Sequence, residues 1–300
     1  MAVYKKIYRP YDGVLTAPWK RFLVIPRYAF EDLHRSRFLT FFYIATFAYP
    51  LIAALIIYIE HNLDALKLLQ VEGTARLIEI DAGFFMSFLG WQSMLALFLA
   101  AFIGPGQVSP DLANNALSLY LARPFSRAEY VLGKFSVLAI LMSLMTWVPG
   151  LLLFVLEGYF EGGDWIAQHS RIASGLFLGG WTWIFLASLL ALALSAWVKW
   201  RPAAGALMFG AFFVASAFGG VINVMLGTRW GDLLSMPNVI GTVWVRLFEG
   251  ENSLSEGGVF FRLDRSAIIP VWACWASLLL LSCVCLYMLH RKIRGREVVR

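Results

Sequence analysis

Chemistry needs polar groups that can reach one another, and this chain keeps few where they could. Its 300 residues include 3 cysteines and 4 histidines. Cys274, Cys283 and Cys285 fall in one apolar run, with no spacing that suggests a disulfide framework or a thiolate metal site. They read as small apolar filler. His34, His61, His169 and His290 stand far apart in the chain. A zinc-type site needs several ligands to converge, and nothing in the spacing predicts convergence. A hydrolytic nucleophile needs a base beside it, and the long apolar runs offer Ser and Thr but no His, Asp or Glu. A Gly-x-x-x-x-Gly-Lys-Ser/Thr phosphate loop is absent; Gly133-Lys134 is followed by Phe135. The chain is expected to hold no catalytic, metal or cofactor site of its own.

The elements that carry these residues explain the scarcity. The chain is 60% hydrophobic and 15% charged, against about 45–50% and about 25% for soluble domains. That excess cannot be hidden inside a chain of this size. A disordered chain, a disulfide-stapled secreted domain and a lone cytosolic enzyme are all excluded. Residues 38–59, 84–103, 135–156, 172–198, 203–226 and 267–289 contain no Asp, Glu, Lys, Arg or His. Each matches the roughly 20 residues that cross a bilayer as a helix, the form that satisfies every backbone group internally. The expectation is an all-α integral membrane bundle of six transmembrane helices, with kinks at Pro50 and Pro149-Gly150.

The charges set the orientation. With a cytoplasmic N-terminus, 18 of the 25 Lys and Arg lie inside, against 6 of the 19 Asp and Glu. The inner side then carries +12 and the outer side −6, as the positive-inside rule requires. Both termini are expected in the cytoplasm of a cell with a bacterial-type inner membrane, and the net +6 reads as topology rather than nucleic-acid binding. Residues 1–37 form the cytoplasmic head, 38–289 the six-span domain and 290–300 a basic tail. The head lacks the apolar core of a signal peptide. Within it, 19–37 mixes Trp19, Phe30 and Leu33 with Arg27 and Arg35, which predicts an amphipathic helix in the inner interface, with Pro26 as a break or first-turn residue.

Polar groups at membrane depth are limited to Gln92, Asn223 and scattered Ser and Thr. Ion-coupled carriers place ionisable groups there, so an ion-coupled secondary carrier is the weakest reading. Gln92 and Asn223 are expected to hydrogen-bond between helices. Small residues recur at helical spacing: Gly175 with Gly179, Ala187 with Ala191 and Ser195, and Ala211 with Ala215 and Gly219. They mark candidate helix-packing or dimer faces.

The most informative stretch is the loop at 104–134. Gly104-Pro105-Gly106 predicts the end of the second helix. Ser109-Pro110-Asp111 predicts a new start, with Ser109 as N-cap and Asp111 favoured by the dipole. Leu112, Ala116, Leu119 and Tyr120 give a partly apolar face before Arg123-Pro124 closes the helix. Ser126-Arg127-Ala128-Glu129 is a capping-box pattern opening the third span. A short capped helix of this kind suits a soluble partner; an idle connector is the plain alternative.

At this loop the chain resembles the membrane permease subunits of type-2 ABC exporters. The likeness rests on Leu121-Ala122-Arg123-Pro124-Phe125-Ser126-Arg127 and Tyr130-Val131-Leu132-Gly133-Lys134, placed after the second of six spans. Asn114-Asn115-Ala116 departs from the small step and acidic residue common there. The resemblance implies that 111–122 is a coupling helix contacting a separate cytosolic ATPase subunit through Asp111, Leu112, Asn115, Leu119, Arg123, Pro124 and Arg127. It also implies that 19–37 is an elbow helix, and that a second permease copy or a paralogue completes the pathway. ATP and Mg would belong to the ATPase subunit. A membrane scaffold that recruits a partner without a conduit is the alternative. The apolar spans lean toward a lipid-like or hydrophobic cargo. In the outer loop, 227–266, Met236, Val239, Ile240, Val243, Trp244, Leu247 and Phe248 predict an amphipathic helix, lying on the outer interface or re-entering the membrane.

Overall fold

The computed structural model describes residues 17, 22–62, 79–121, 126–248 and 269–293; Trp19, Arg123, Pro124 and the 249–268 link lie outside them. The described chain is 88% helical and contains no strand. Six helices are long and apolar enough to cross a membrane: Arg37–Glu60, Ala82–Ala113, Arg127–Glu161, Ser170–Trp197, Arg201–Leu226 and Val271–Lys292. The protein is a multi-pass membrane bundle. The second, third and fourth spans form its centre, with 67%, 67% and 72% of their apolar windows buried, against 22%, 17% and 28% for the first, fifth and sixth. The outer three present Phe41, Leu51, Val224, Met225 and Leu280, which needs no compensation when the surrounding solvent is hydrocarbon.

The prolines act one turn upstream of themselves. A proline gives no N–H and crowds the carbonyl four residues before it. The first span therefore turns at Thr46-Phe47 and resumes as Ala48–Glu60. The Thr46 carbonyl that Pro50 cannot use accepts a hydrogen bond from Gln92 Nε2 at 3.1 Å. The expected interhelical role of Gln92 is thus a repair of a proline break. The third span breaks at Thr146, with φ −102° and ψ −92°, and continues as Trp147–Glu161. Asn223 instead serves its own connection: its Oδ1 accepts from the Gly231 N–H at 2.8 Å, fixing the 3-10 turn Trp230–Leu234 on the end of the fifth span.

Two local expectations are corrected. Gly104-Pro105-Gly106 does not end the second span: Gly104 stays helical at φ −54°, ψ −47°, and its N–H reaches the Ala100 carbonyl at 2.8 Å. Pro105 sits at the first position of the continuing helix Pro105–Ala113, where a missing N–H costs least. Ser109 is consequently inside a helix and not an N-cap. The break comes later, at Asn114-Asn115, where Asn115 takes φ +52°, a conformation that asparagine tolerates better than most residues.

The outer-loop helix Met236–Phe248 lies inside the bundle, not flat on its end. Val239, Ile240, Val243, Trp244 and Phe248 are all buried, and the helix packs on the fourth and sixth spans. Trp244 Nε1 donates to the Gly179 carbonyl at 3.0 Å. The small residues Gly175 and Gly179 make room for it: a methyl on either would meet the Phe248 or Trp244 ring at 2.9 or 3.0 Å.

Candidate functional site

The loop between the second and third spans is tied to the bundle at two places. Ser195, buried in the fourth span, donates from Oγ to the Pro105 carbonyl at 2.9 Å. The same oxygen accepts from the N–H groups of Val108 and Ser109 at 3.0 and 3.1 Å. One hydroxyl thus serves three backbone groups at the kink that Gly104-Pro105 creates. Ser109 Oγ adds a bond to the Lys199 carbonyl at 3.1 Å, so the helix Pro105–Ala113 follows the end of the fourth span.

The second tie is ionic. Lys134 Nζ lies 2.8 Å from Asp111 Oδ2, and Tyr130 OH donates to the same oxygen at 2.8 Å. Asp111 occupies the last turn of its helix, where the dipole disfavours a carboxylate; the expected dipole benefit is absent. Lys134 and Tyr130, both from the start of the third span, supply the stabilisation. The Lys134 ammonium also sits 5.7 Å from the Tyr130 ring centroid, and Tyr120 packs on Tyr130 with centroids 5.5 Å apart. Burial, then the Asp111 charge, raises the Tyr120 phenol above its ordinary value.

The expected 111–122 helix is therefore two pieces: the end of Pro105–Ala113 and the short helix Ala116–Leu121, which includes Leu119. Asp111 faces inward and Leu112 packs against the core, while Asn115 and Arg127 are exposed. Arg123 and Pro124 lie outside the described residues. The capping box at the start of the third span is present, with the Glu129 N–H on Ser126 Oγ at 3.2 Å and the Ser126 N–H on Glu129 Oε2 at 2.6 Å.

The N-terminal helix Val24–Arg35 rests on the third span at Gly133. A methyl at Gly133 would stand 2.6 Å from Ile25 Cδ1 and 3.0 Å from the Phe22 carbonyl oxygen. Within Leu132-Gly133-Lys134, Gly133 admits the N-terminal helix and Lys134 holds the loop. Pro26 is in the first turn, Phe30 packs on the core and Arg27 is exposed; Leu33 and Arg35 belong to the same helix. The Lys292 ammonium lies 5.2 Å from the Trp197 ring centroid. The loop, the N-terminal helix and the basic ends of the fourth and sixth spans thus share one end of the bundle. In the fifth span the π-turn Gly210–Val214 interrupts the Ala211, Ala215 and Gly219 stripe, and Gly219 backs onto the Gly231 carbonyl.

Two features escaped the sequence because they join distant segments. A cavity of about 290 Å³ lies among Met94, Leu97, Trp183, Phe212 and Phe213, with Ser216, Asp232, Ser235 and Asn238 at its polar side. Trp183 lines it, and its indole N–H is buried without a hydrogen-bond partner among the described residues. At the bundle end away from the loop, His61 does not stand apart as expected but meets Glu157 and Glu161.

Residues 29–247 match a family described as ABC-2 family transporter protein. The chain belongs to that family. The match runs from within the N-terminal helix to the last turn of the inserted outer helix, taking in five spans and the loop. A comparison with curated proteins finds no match. As an ABC-2 permease the chain is the membrane subunit of an ABC transporter, a class that works with an ATPase subunit. The ties of the loop to the third and fourth spans are thus features of an ABC-2 permease.

Proposed function

We propose that this ABC-2 permease is the membrane half of an ATP-driven exporter in a bacterial-type inner membrane, with both termini cytoplasmic. A separate cytosolic ATPase subunit docks on this end of the bundle, where Asn114, Asn115 and Arg127 are exposed, and a second permease copy or a paralogue completes the transporter. ATP and Mg belong to the ATPase. The observation that carries the reading is the double tie of the loop, through Ser109 and Ser195 to the fourth span and through Asp111 to Lys134 in the third. A partner that shifts this segment pulls on the third and fourth spans together. Export as the direction follows from the family resemblance. The largely apolar cavity, lined by Trp183 whose buried N–H has no partner among the described residues, supports a hydrophobic cargo carrying a hydrogen-bond acceptor.

Co-purification tests this reading. The chain isolated from its native membrane should bring down a subunit with a phosphate loop. Asn114→Arg with Arg127→Glu, both at exposed positions, should abolish that capture and ATP-dependent transport while leaving the unfolding temperature unchanged. Transport that persists with the double substitution would remove the docking assignment.

A further inference from the structure

We propose that His61, Glu157 and Glu161 form a binding site for a divalent transition metal of the zinc type, joining the ends of the first and third spans. Among the described residues these three side chains are the one group whose possible ligand atoms all lie within 4.8 Å of one another. His61 closes the first span, and its Nδ1 lies 3.0 Å from the Ile57 carbonyl. A carbonyl only accepts, so Nδ1 carries the hydrogen and a neutral ring turns the lone pair of Nε2 outward. Nε2 lies 3.4 Å from Glu161 Oε1 and 3.7 Å from Glu157 Oε1. A proton on Nε2 bridges to the carboxylates when no metal is bound, and a divalent cation takes the place of that proton between the same three atoms.

The spacing fits a particular cation. Zinc binds imidazole nitrogen and carboxylate oxygen at about 2.0–2.2 Å, so the edge of its tetrahedron is about 3.4 Å. The distances of 3.4 and 3.7 Å match two such edges. Glu157 and Glu161 are one helical turn apart and share a face. The imidazole is braced by its bond to Ile57 and by stacking on Phe160, with centroids 5.0 Å apart and planes 16° off parallel. Metal-binding histidines are commonly oriented in this way through their second nitrogen. Mixed imidazole and carboxylate ligands favour zinc, copper or nickel over calcium or magnesium. Glu157 is 3% exposed and Glu161 32%, so the site has a closed side and an open one, where water completes the coordination. The site sits beyond the proline breaks of both spans and would staple their outer halves together.

The test uses the full chain in nanodiscs, free of any polyhistidine tag and stripped with a chelator, titrated with zinc under equilibrium dialysis and metal analysis. The expected result is one zinc per chain, at least tenfold weaker binding in His61→Ala and in Glu161→Gln, and visible ligand-field bands when cobalt replaces zinc. Glu161→Gln changes a partly exposed group, and its unfolding temperature in chelator should equal that of the unaltered chain. Zinc should raise the unfolding temperature of the unaltered chain alone. A wild-type chain that binds no more zinc than the His61→Ala/Glu161→Gln double variant would overturn the site, leaving a protonated His61 paired with the carboxylates.

Discussion

Replacing Lys134 by Met removes the cation that holds Asp111 while keeping the length of the side chain. Exposed ion pairs contribute about 0–1 kcal/mol, whereas breaking a buried one costs about 3–5 kcal/mol. Lys134 and Asp111 are 12% and 17% exposed and 2.8 Å apart, nearer the buried case, and Tyr130 continues to donate to the orphaned carboxylate. Lys134→Met should therefore destabilise by about 2–3 kcal/mol, a drop of about 3–5 °C in unfolding temperature at the usual per-residue unfolding entropy. Asp111→Asn should cost a similar amount. The double variant should be less destabilised than the two single losses together, by a coupling of at least about 1 kcal/mol. In a Cys283→Ala background, which removes the exposed thiol, a thiol-reactive dye reads the transition, because Cys274 and Cys285 are free and buried until the bundle opens. Single losses that simply add, within about 0.5 kcal/mol, would show that the pair does not anchor the loop.

Gly133→Leu should force the N-terminal helix off the third span, costing about 1–3 kcal/mol through overpacking and speeding proteolysis after Arg27; Gly133→Ala should do less on both measures. Ser195→Ala removes the hydroxyl shared by Pro105, Val108 and Ser109, and should cost about 1–3 kcal/mol, read as a lower unfolding temperature. Trp244→Phe should lose the bond to the Gly179 carbonyl, worth about 0.6 kcal/mol in a membrane setting. Trp244→Ala should cost about 3–5 kcal/mol, and the gap between the two in the same thermal assay measures how deeply the outer helix is seated.

The six spans were legible in the sequence because in lipid a run of about 20 apolar residues has only the helix available to it. Local chemistry was legible too, as the Ser126–Glu129 capping box shows. The misreadings arose where a distant group altered a local preference. Gly104-Pro105 carries the signals of a helix end, but Ser195, some 90 residues on, satisfies the backbone that the kink exposes. Asp111 reads as a helix-start residue until Lys134 claims it. Glu157 falls just past the apolar run of the third span, and nothing near it in the chain announces His61. The amphipathic pattern of Met236–Phe248 suits a bundle interior as well as an interface, and the room that Gly175 and Gly179 leave on the fourth span seats it in the interior.

Site-specific photo-cross-linking tests the central claim most directly. A photoreactive residue placed at Asn114, on the loop, is compared in native membranes with one at Leu234, at the opposite end and also exposed. The account predicts a cross-link to an ATP-hydrolysing subunit from Asn114 and none from Leu234. Failure to capture such a subunit from Asn114, or its capture from Leu234, would contradict it.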